Sequence, residues 1–452
     1  MGRELFPVRL VTLAARRARV PDRAQRCLHT PFRGLSTLSV HDYDEEIPVG
    51  RNDAAEAFTF ACGSTLPFTS QLDVVSPASL PVWPVYRVLG QNGIFAAVHC
   101  NTSSLPSRAE ARYMYQIMMR LATLDTIFYN AQRQGRISFY LTSTGEEATQ
   151  IGSAAALQPN DTVLAQYREP GVLMYRGFTL EQFANQCCST HKDLGKGRQM
   201  PIHYGSSELH YHTVSSPLAT QVPQAVGVAY GHKLEQNGRV AICYFGEGAA
   251  SEGDFHAALN FAATTDAPVI FLCRNNGYAI STNAREQYRG DGVVSRAPGY
   301  GVHGIRVDGN DALAVYSAVS EARKLALQGK PVLIEAMTYR VGHHSTSDDW
   351  SRYRSSEEVD EWRQGGVEPI TRYKAWLIAQ GWWSVEEDLQ LEDQERRDVM
   401  AALEAAEKEA PPSMESLFTD IYKDMPPRLQ QQHDSLVAHM EKYPDAYPEK
   451  SW

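Results

Sequence analysis

The sequence predicts an α/β fold in which helices cover both faces of a mostly parallel sheet. Apolar runs at residues 240–245 and 268–273 are typical of buried strands. Between them, residues 252–264 place apolar side chains at helical spacing. A strand, a helix and a second strand in this order form a βαβ unit, and such units build parallel sheets.

The same alternation continues on either side of this unit. Apolar residues at helical spacing predict helices over residues 109–134, 218–234 and 312–327. Short apolar runs predict strands at residues 163–165 and 332–337. After about residue 369 the chain changes to charged helical segments. We therefore expect an α/β domain over residues 106–370 and a helical interaction tail over residues 371–452.

The N-terminal part of the chain differs from the rest. Residues 41–105 are rich in Pro, Ser and Thr and lack strong helical periodicity, which predicts an extended arm. Residues 1–40 contain eight arginines, no lysine and two acids. A basic segment with interspersed apolar residues is typical of a mitochondrial transit peptide. It predicts that the protein is located in the mitochondrial matrix. A nucleic-acid-binding arm is the alternative interpretation of these residues.

Composition argues against several other classes of protein. Without residues 1–40 the net charge would fall from −10 to about −16, which is unfavourable for binding nucleic acid. No apolar run approaches the roughly 20 residues that span a bilayer. Seven cysteines without a CxxC pair argue against a disulfide scaffold and against a zinc site. We expect no nucleic-acid partner and no membrane span.

Two polar residues follow neighbouring strands of the predicted βαβ unit. Glu247 lies in the turn after the first strand, and Asn276 follows the second. Because ligands bind at the carboxyl ends of strands in open α/β sheets, the two residues are expected to share one ion. A carboxylate, an amide oxygen and the nearby Tyr278 carbonyl are hard ligands that suit Mg²⁺ with diphosphate and water. A surface turn and an unrelated Asn pair are the alternative.

Two arginines also follow predicted strands. Arg168 comes after the run at residues 163–165, and Arg274 directly precedes Asn275. An arginine at a strand end offers a fork of donors to a diphosphate. Taken alone, Arg168 is better explained by a surface ion pair with Glu169. Two arginines around one anion favour ligand binding instead.

Two polar loops are further candidates. His343 and His344 follow the strand at residues 332–337, and they could bind a metal, act as acid or base, or merely be exposed. Acid–base work or contact with an anion is our preferred interpretation. Residues 215–221 open a predicted helix, so their hydroxyls could simply cap it. The same loop could also wrap a monovalent cation through Ser215, Thr220, Gln221 and the Pro217 carbonyl.

Together these segments resemble the α subunits of mitochondrial branched-chain 2-oxo acid dehydrogenase, a thiamine-diphosphate-dependent decarboxylase. The resemblance runs from about residue 90 to the C-terminus and weakens at Trp350. It includes the segments ISFYLTSTGEEATQIGSAAAL, QYREPGVLMYRG, SSPLATQVPQAVG, CYFGEGAASEGD, CRNNGYAIST and EAMTYRVGHHSTSDD.

The resemblance implies a role for each matching residue. Mg²⁺ would be held by Glu247, Asn276 and the Tyr278 carbonyl, and K⁺ by Ser215, Pro217, Thr220 and Gln221. Thiamine diphosphate would contact Tyr167, Arg168, Ser216, Leu218, Gly248, Ala249, Arg274 and His344. Of these, His344 would be the catalytic residue that handles protons.

The implied activity is decarboxylation of branched-chain 2-oxo acids and transfer of the acyl group to a lipoyl carrier. The implied partners are a β subunit in an α₂β₂ assembly, a lipoyl-bearing transacylase core, and a regulatory kinase and phosphatase. The α subunit of pyruvate dehydrogenase and a non-catalytic scaffold subunit of the same fold are the alternatives. The resemblance also marks Ser345 and Ser355 as phosphorylation sites. Phosphate at Ser345 should disorder the His344 loop, whereas phosphate at Ser355 should matter less.

Overall fold

The computed structural model describes residues 57–59, 65–90, 92–95, 105–364 and 366–447. The chain divides into two compact units, residues 1–76 and residues 77–452. In the first unit, strands β1 (Ala57–Thr59) and β2 (Thr65–Pro67) pair antiparallel. The predicted transit peptide lies outside the described residues, and its assignment stays a prediction.

The second unit is built around a parallel sheet. Its strands are β3 (Thr162–Leu164), β4 (Tyr211–His212), β5 (Ala241–Gly246), β6 (Val269–Asn275), β9 (His303–Asp308) and β10 (Val332–Met337), with the small antiparallel hairpin of β7 (Tyr278–Ala279) and β8 (Thr282–Asn283) beside it. The strand order is β4-β3-β5-β6-β10-β9, and every pairing is parallel. The predicted α/β fold with a mostly parallel sheet is confirmed.

Helices lie along the chain before, between and after these strands. They are α1 (Arg108–Arg133), α2 (Glu147–Ala155), α3 (Pro170–Tyr175), α4 (Leu180–Cys187), α5 (Gln221–Glu235), α6 (Gly253–Thr265), α7 (Ala284–Gln287), α8 (Ala297–Tyr300), α9 (Ala312–Leu327), α10 (Ser356–Gln364), α11 (Pro369–Ala379), α12 (Val385–Ala406) and α13 (Pro427–Lys442). Among the described helices, none combines the length and the hydropathy of a membrane-crossing segment.

Two apolar cores sandwich the sheet. Ile242 and Tyr244 of β5 pack into a core that includes residues of α1, α2, α9 and α12. Cys243 and Phe245 of the same strand pack into a second core with α5 and α6. Successive side chains of a strand point to opposite faces, so a strand that is buried throughout contributes side chains to both cores. This is why the strand sequences are continuously apolar.

The order of the strands creates a crevice. The chain passes from β3 to the sheet edge at β4 and then returns to β5 on the other side of β3. Neighbouring connections therefore leave β3 and β5 in opposite directions, and the carboxyl ends of these strands border a crevice where open α/β sheets bind ligands.

Two predicted boundaries need correction. The helix expected at residues 218–234 begins at Gln221, because Ala219 has a left-handed backbone with φ of 61°. The expected arm of residues 41–105 is divided, since the segment from Pro77 belongs to the second unit. There, the amides of Val88 and Leu89 both donate to Asp311 Oδ2, at 2.7 and 2.5 Å. Periodicity could not predict that attachment.

The predicted C-terminal tail contains two kinds of helix. Trp376 of α11 and Val399 and Leu403 of α12 are buried in the same core as α1. By contrast, α13 contributes no buried residue. The first part of the tail thus stabilises the α/β unit, and the role of the remainder as an interaction surface stays a prediction.

Candidate functional site

A cavity of about 440 Å³ lies at the crevice between β3 and β5. It is lined by most of the residues predicted for the cofactor and for Mg²⁺, namely Tyr167, Arg168, Leu218, Glu247, Gly248, Ala249, Arg274, Asn276, Tyr278 and His344. A larger cavity of about 670 Å³ lies beside β4 and contains none of these residues. The position at the strand ends therefore identifies the site better than size does.

The turn after β5 brings its backbone close to the opposite wall of the cavity. A Cβ atom added to Gly248 would lie 2.7 Å from the Ala279 Cβ, so a side chain at this position would force the turn away. A Cβ atom on Gly246 would have its nearest neighbour at 3.8 Å. Of the two glycines around Glu247, only Gly248 is required by close approach.

Glu247 is a buried carboxylate with an unsatisfied oxygen. The residue is 1% exposed, and its Oε1 has no hydrogen-bond partner among the described residues. Its Oε2 lies 3.4 Å from the backbone nitrogen of Asn276. Burial, together with the nearby charge of Glu146, raises the pKa of Glu247 to about 7. An unpaired buried carboxylate oxygen is costly, and a bound cation would remove that cost.

Asn276 and Tyr278 supply neutral oxygens next to Glu247. Asn276 is buried, and its Oδ1 accepts a hydrogen bond from the Tyr278 amide at 3.2 Å. The Tyr278 carbonyl accepts from Arg340 Nη1 at 3.4 Å. Within the described ranges, no three His, Cys, Asp or Glu side chains cluster as a metal site. The available donor set is therefore one carboxylate with amide and carbonyl oxygens, which fits the hard-ligand preference of Mg²⁺.

Arg274 is held by two buried glutamates, neither of which the sequence predicted as its partner. Its Nη1 donates to Glu146 Oε2 at 2.6 Å, and its Nε donates to Glu169 Oε1. Both carboxylates have side chains that are 0% exposed. The proposed surface pair of Arg168 with Glu169 is therefore wrong, because Glu169 is buried and pairs with Arg274.

Arg168 is buried beside this cluster. Its Nη2 donates to the His344 carbonyl at 2.8 Å, and its Nη1 donates to the Thr142 carbonyl at 2.5 Å. Its Nε lies 3.9 Å from Glu146 Oε1. Because the guanidinium bridges two chain segments, Arg168 fixes the start of the loop that follows His344 as well as placing positive charge at the cavity.

The imidazole of His344 faces Tyr167 across the cavity. Its Nε2 lies 3.3 Å from the Tyr167 hydroxyl oxygen. Burial and the positive charges of Arg168 and Arg340 lower the pKa of His344 to about 3. The ring is therefore neutral at physiological pH, and one nitrogen can accept a proton while the other donates.

The loop that contains Ser345 is pinned on several sides. The His344 amide donates to Asp348 Oδ2 at 2.7 Å, and the Tyr353 hydroxyl donates to the same oxygen at 2.6 Å. Arg354 donates to the Gly342 carbonyl at 2.7 Å. Its guanidinium carbon lies 5.3–5.6 Å from four ring centroids, those of Tyr278, Tyr339, Trp350 and Tyr353. Arg354 thus anchors the loop by cation–π contacts as well as by hydrogen bonds.

The two predicted phosphorylation sites lie in different surroundings. Ser345 is only 9% exposed. Ser355 is exposed, and its Oγ accepts from the Glu358 amide at 3.1 Å in the first turn of α10. A phosphate on Ser345 would need the loop to move, whereas a phosphate on Ser355 would lie at a helix start, where negative charge is favourable.

The loop before α5 does not cap that helix with its hydroxyls. Thr220 makes no side-chain cap, so the capping interpretation is wrong there. The Ser216 Oγ lies 2.6 Å from His203 Nε2, and Gln221 Nε2 donates to the Tyr244 carbonyl at 2.9 Å. Ser215, Ser216, Pro217, Thr220 and Gln221 do not line the 440 Å³ cavity. Their assignment to K⁺ and to the cofactor stays a prediction.

A family model described as "Dehydrogenase E1 component" matches residues 115–415. This range covers most of the described α/β unit, including the cavity and the loop at His344. The chain therefore belongs to the dehydrogenase E1 component family.

Individual relatives are more specific. The chain is 53% identical over 389 residues to the human protein named 2-oxoisovalerate dehydrogenase subunit alpha, mitochondrial, covering 85% of this chain and 86% of the relative. It is 51% identical over 382 residues to the Caenorhabditis elegans protein of that name, with coverage of 84% and 88%. The Arabidopsis thaliana subunit alpha 1 is 51% identical over 388 residues, with coverage of 85% and 81%. The predicted resemblance to branched-chain 2-oxo acid dehydrogenase α subunits is confirmed.

Proposed function

We propose that this chain is the α subunit of a thiamine-diphosphate-dependent enzyme that decarboxylates branched-chain 2-oxo acids and passes the acyl group to a lipoyl carrier. The observation that carries the proposal is the unsatisfied oxygen of Glu247 in a cavity at the β3–β5 crevice. The family match and the names of the relatives support the substrate class. These names favour 2-oxoisovalerate over pyruvate, and thus disfavour the pyruvate dehydrogenase alternative.

In this proposal Glu247, Asn276 and the Tyr278 carbonyl hold Mg²⁺. When bound, thiamine diphosphate supplies an electron sink for the electron pair that remains after CO₂ leaves. Glu247 gives the ion a charged ligand from the protein, and the ion gives the unsatisfied Oε1 of this buried carboxylate a partner. The turn at Gly248 packs closely against Ala279, and Gly248 and Ala249 both line the cavity in which the diphosphate would bind.

The remaining cavity residues bind and orient the cofactor. The hydroxyl of Tyr167 and the imidazole of His344 lie within reach of one another and can both contact the diphosphate end. Arg168 and Arg274 contribute positive charge, although much of each guanidinium is already engaged by protein acceptors. Leu218, an exposed apolar side chain on the cavity wall, would pack against the cofactor. Ser216 would bind its pyrimidine end, as the resemblance implies.

His344 is the residue that we assign to proton handling. A pKa of about 3 leaves the imidazole neutral and able to accept a hydrogen bond, but it makes the free ring a weak base, so action as a base needs a higher pKa. A bound diphosphate would add negative charge and move that pKa upward. The Asp348 contact to the His344 amide keeps the residue at the cavity mouth.

We also propose that K⁺ is bound by Ser215, Pro217, Thr220 and Gln221. The left-handed backbone at Ala219 turns this loop just before α5. A cation there would order the loop that carries Ser216 and Leu218. Replacing K⁺ by a bulky organic cation such as tetramethylammonium should lower the melting temperature if the loop binds K⁺.

The proposed setting is the mitochondrial matrix, which the relatives' names support. The designation "subunit alpha" of those relatives supports a β-subunit partner and a lipoyl-bearing transacylase within a multienzyme assembly. We further propose regulation by a kinase and a phosphatase acting at Ser345 and Ser355. Because the chemistry needs groups from the partner, the purified single chain should have no turnover.

The decisive experiment co-expresses the chain with its β subunit and measures CO₂ release with added thiamine diphosphate and Mg²⁺. We expect faster decarboxylation of 3-methyl-2-oxobutanoate than of pyruvate at equal concentration. Faster pyruvate turnover would instead support the pyruvate dehydrogenase alternative. Failure to bind thiamine diphosphate in a calorimetric titration would support the non-catalytic scaffold alternative.

A further inference from the structure

Glu146 contacts two residues of the proposed site at once. Its Oε1 accepts a hydrogen bond from Asn276 Nδ2 at 2.8 Å, and its Oε2 accepts from Arg274 Nη1 at 2.6 Å. The glutamate lies just before α2 and is fully buried. It is not itself among the residues that line the cavity, so any effect on ligand binding acts through its neighbours.

The contact with Asn276 decides which way the amide points. A carboxylate that binds two N–H groups can only accept hydrogen bonds, so Glu146 holds the nitrogen of the Asn276 amide and not its oxygen. The amide oxygen is consequently turned to the other side, where it also accepts from the Tyr278 backbone. Only the oxygen of an amide can bind a cation, so this orientation matters for metal binding.

We propose that Glu146 is a positioning residue that keeps the Asn276 amide oxygen turned toward the Mg²⁺ of the cofactor site. This inference rests on the proposed function of the cavity. It adds a residue to which the sequence analysis gave no role and that would not contact the ion itself. The negative charge of Glu146 also offsets Arg274 and Arg168 in the buried cluster.

Glu146→Gln tests the orientation directly. If the new side chain keeps its oxygen toward Arg274, its amino group meets the amino group of Asn276, and two donors then face each other. Asn276 is expected to turn over and to present nitrogen to the metal. Glu169→Gln is the matched control, because Glu169 is equally buried and also pairs with Arg274 but, within the described part of the chain, forms no hydrogen bond with Asn276.

Calorimetry measures the Mg²⁺ concentration that gives half-maximal thiamine diphosphate binding to the full αβ complex. We expect this concentration to rise roughly 10- to 100-fold in Glu146→Gln, as for other residues that orient metal ligands, and clearly less in Glu169→Gln. The swap variant that combines Glu146→Gln with Asn276→Asp restores a donor facing an acceptor. It keeps the net charge of the pair and should recover most of the Mg²⁺ affinity.

The swap variant also covers the case in which Glu146→Gln alone fails to fold, because it retains one carboxylate and one amide in the cluster. Equal shifts in Glu146→Gln and Glu169→Gln, or a folded swap variant no better than Asn276→Asp alone, would overturn the inference. If the unsubstituted complex binds the cofactor with the same affinity with and without Mg²⁺, the proposed function is overturned as well. The two failures are therefore distinguishable.

Discussion

Replacing Asp125 by Asn should change how the stability of this chain depends on pH. Asp125 of α1 is buried, and it accepts hydrogen bonds from the Tyr140 hydroxyl at 2.9 Å and from the Ser143 amide. Burial raises its pKa from 3.8 to about 7. The folded chain thus holds this proton more tightly than the unfolded chain does, so ionisation opposes folding as the pH rises.

The size of the effect follows from the shift. About three pKa units correspond to about 4 kcal/mol, which is absent below pH 3.8 and fully expressed above pH 7. About 2.5 kcal/mol of this loss accrues between pH 5 and pH 8. Asn cannot ionise, and its amide can still accept from Ser143 and donate to the Tyr140 oxygen. The variant should therefore gain about 2.5 kcal/mol relative to the parent chain over that range.

Urea unfolding of the αβ complex at pH 5, 6, 7 and 8 measures this difference, with the exposed Asp360→Asn as control. A constant contribution from altered hydrogen bonds would shift all four values equally and leave the pH trend unchanged. If the stability difference between Asp125→Asn and the parent chain stays the same from pH 5 to pH 8, Asp125 is not a neutral buried acid and the reasoning is refuted.

Three further outcomes concern the loop near His344. Ser345→Glu should abolish the overall reaction with the partner subunit and lipoyl carrier supplied, because a charge on this buried residue displaces the loop; full activity would contradict this. Ser355→Glu should leave most of the activity, since the new carboxylate lies at the start of α10, and loss comparable to that of the first variant would argue against this placement. Arg354→Lys should accelerate amide hydrogen exchange across residues 342–350 by roughly 10-fold or more, because charge-assisted hydrogen bonds are lost. The control variant Arg352→Lys, at an exposed position, should not accelerate it. Equal exchange rates in both variants would exclude the role of Arg354 as the anchor of the loop.

The periodic parts of the fold could be predicted because local spacing determines them. The strand at residues 240–245 is apolar throughout because both of its faces are covered, and the structure places it at Ala241–Gly246. Helix α9 matches its predicted range for the same kind of reason, since one face packs into the core. The start of α5 could not be predicted, because the left-handed residue that delays it is an alanine.

Part of the candidate site followed from one rule about strand ends. Glu247, Asn276 and Arg168 each follow the carboxyl end of a parallel strand, and these ends lie at the same edge of the sheet. Their positions after the predicted strands were therefore enough to predict that they lie close together. Glu146 escaped that rule because it precedes a helix and reaches Asn276 across 130 residues of sequence. The adjacent acids Glu146 and Glu147 at the start of α2 were a weak signal, because acidic residues are common in the first turn of a helix.

The assignment of the cavity as the cofactor site is tested by thiamine diphosphate binding to the αβ complex. Binding is measured with and without Mg²⁺, for the parent chain and for Glu247→Ala. The exposed Glu252→Ala, five residues further along, is the matched control. We predict Mg²⁺-dependent binding in the parent chain and in the control. In Glu247→Ala the affinity should fall by more than roughly 100-fold while the circular dichroism spectrum is retained. Near-normal, Mg²⁺-dependent binding by Glu247→Ala would contradict the assignment of this cavity as the cofactor site.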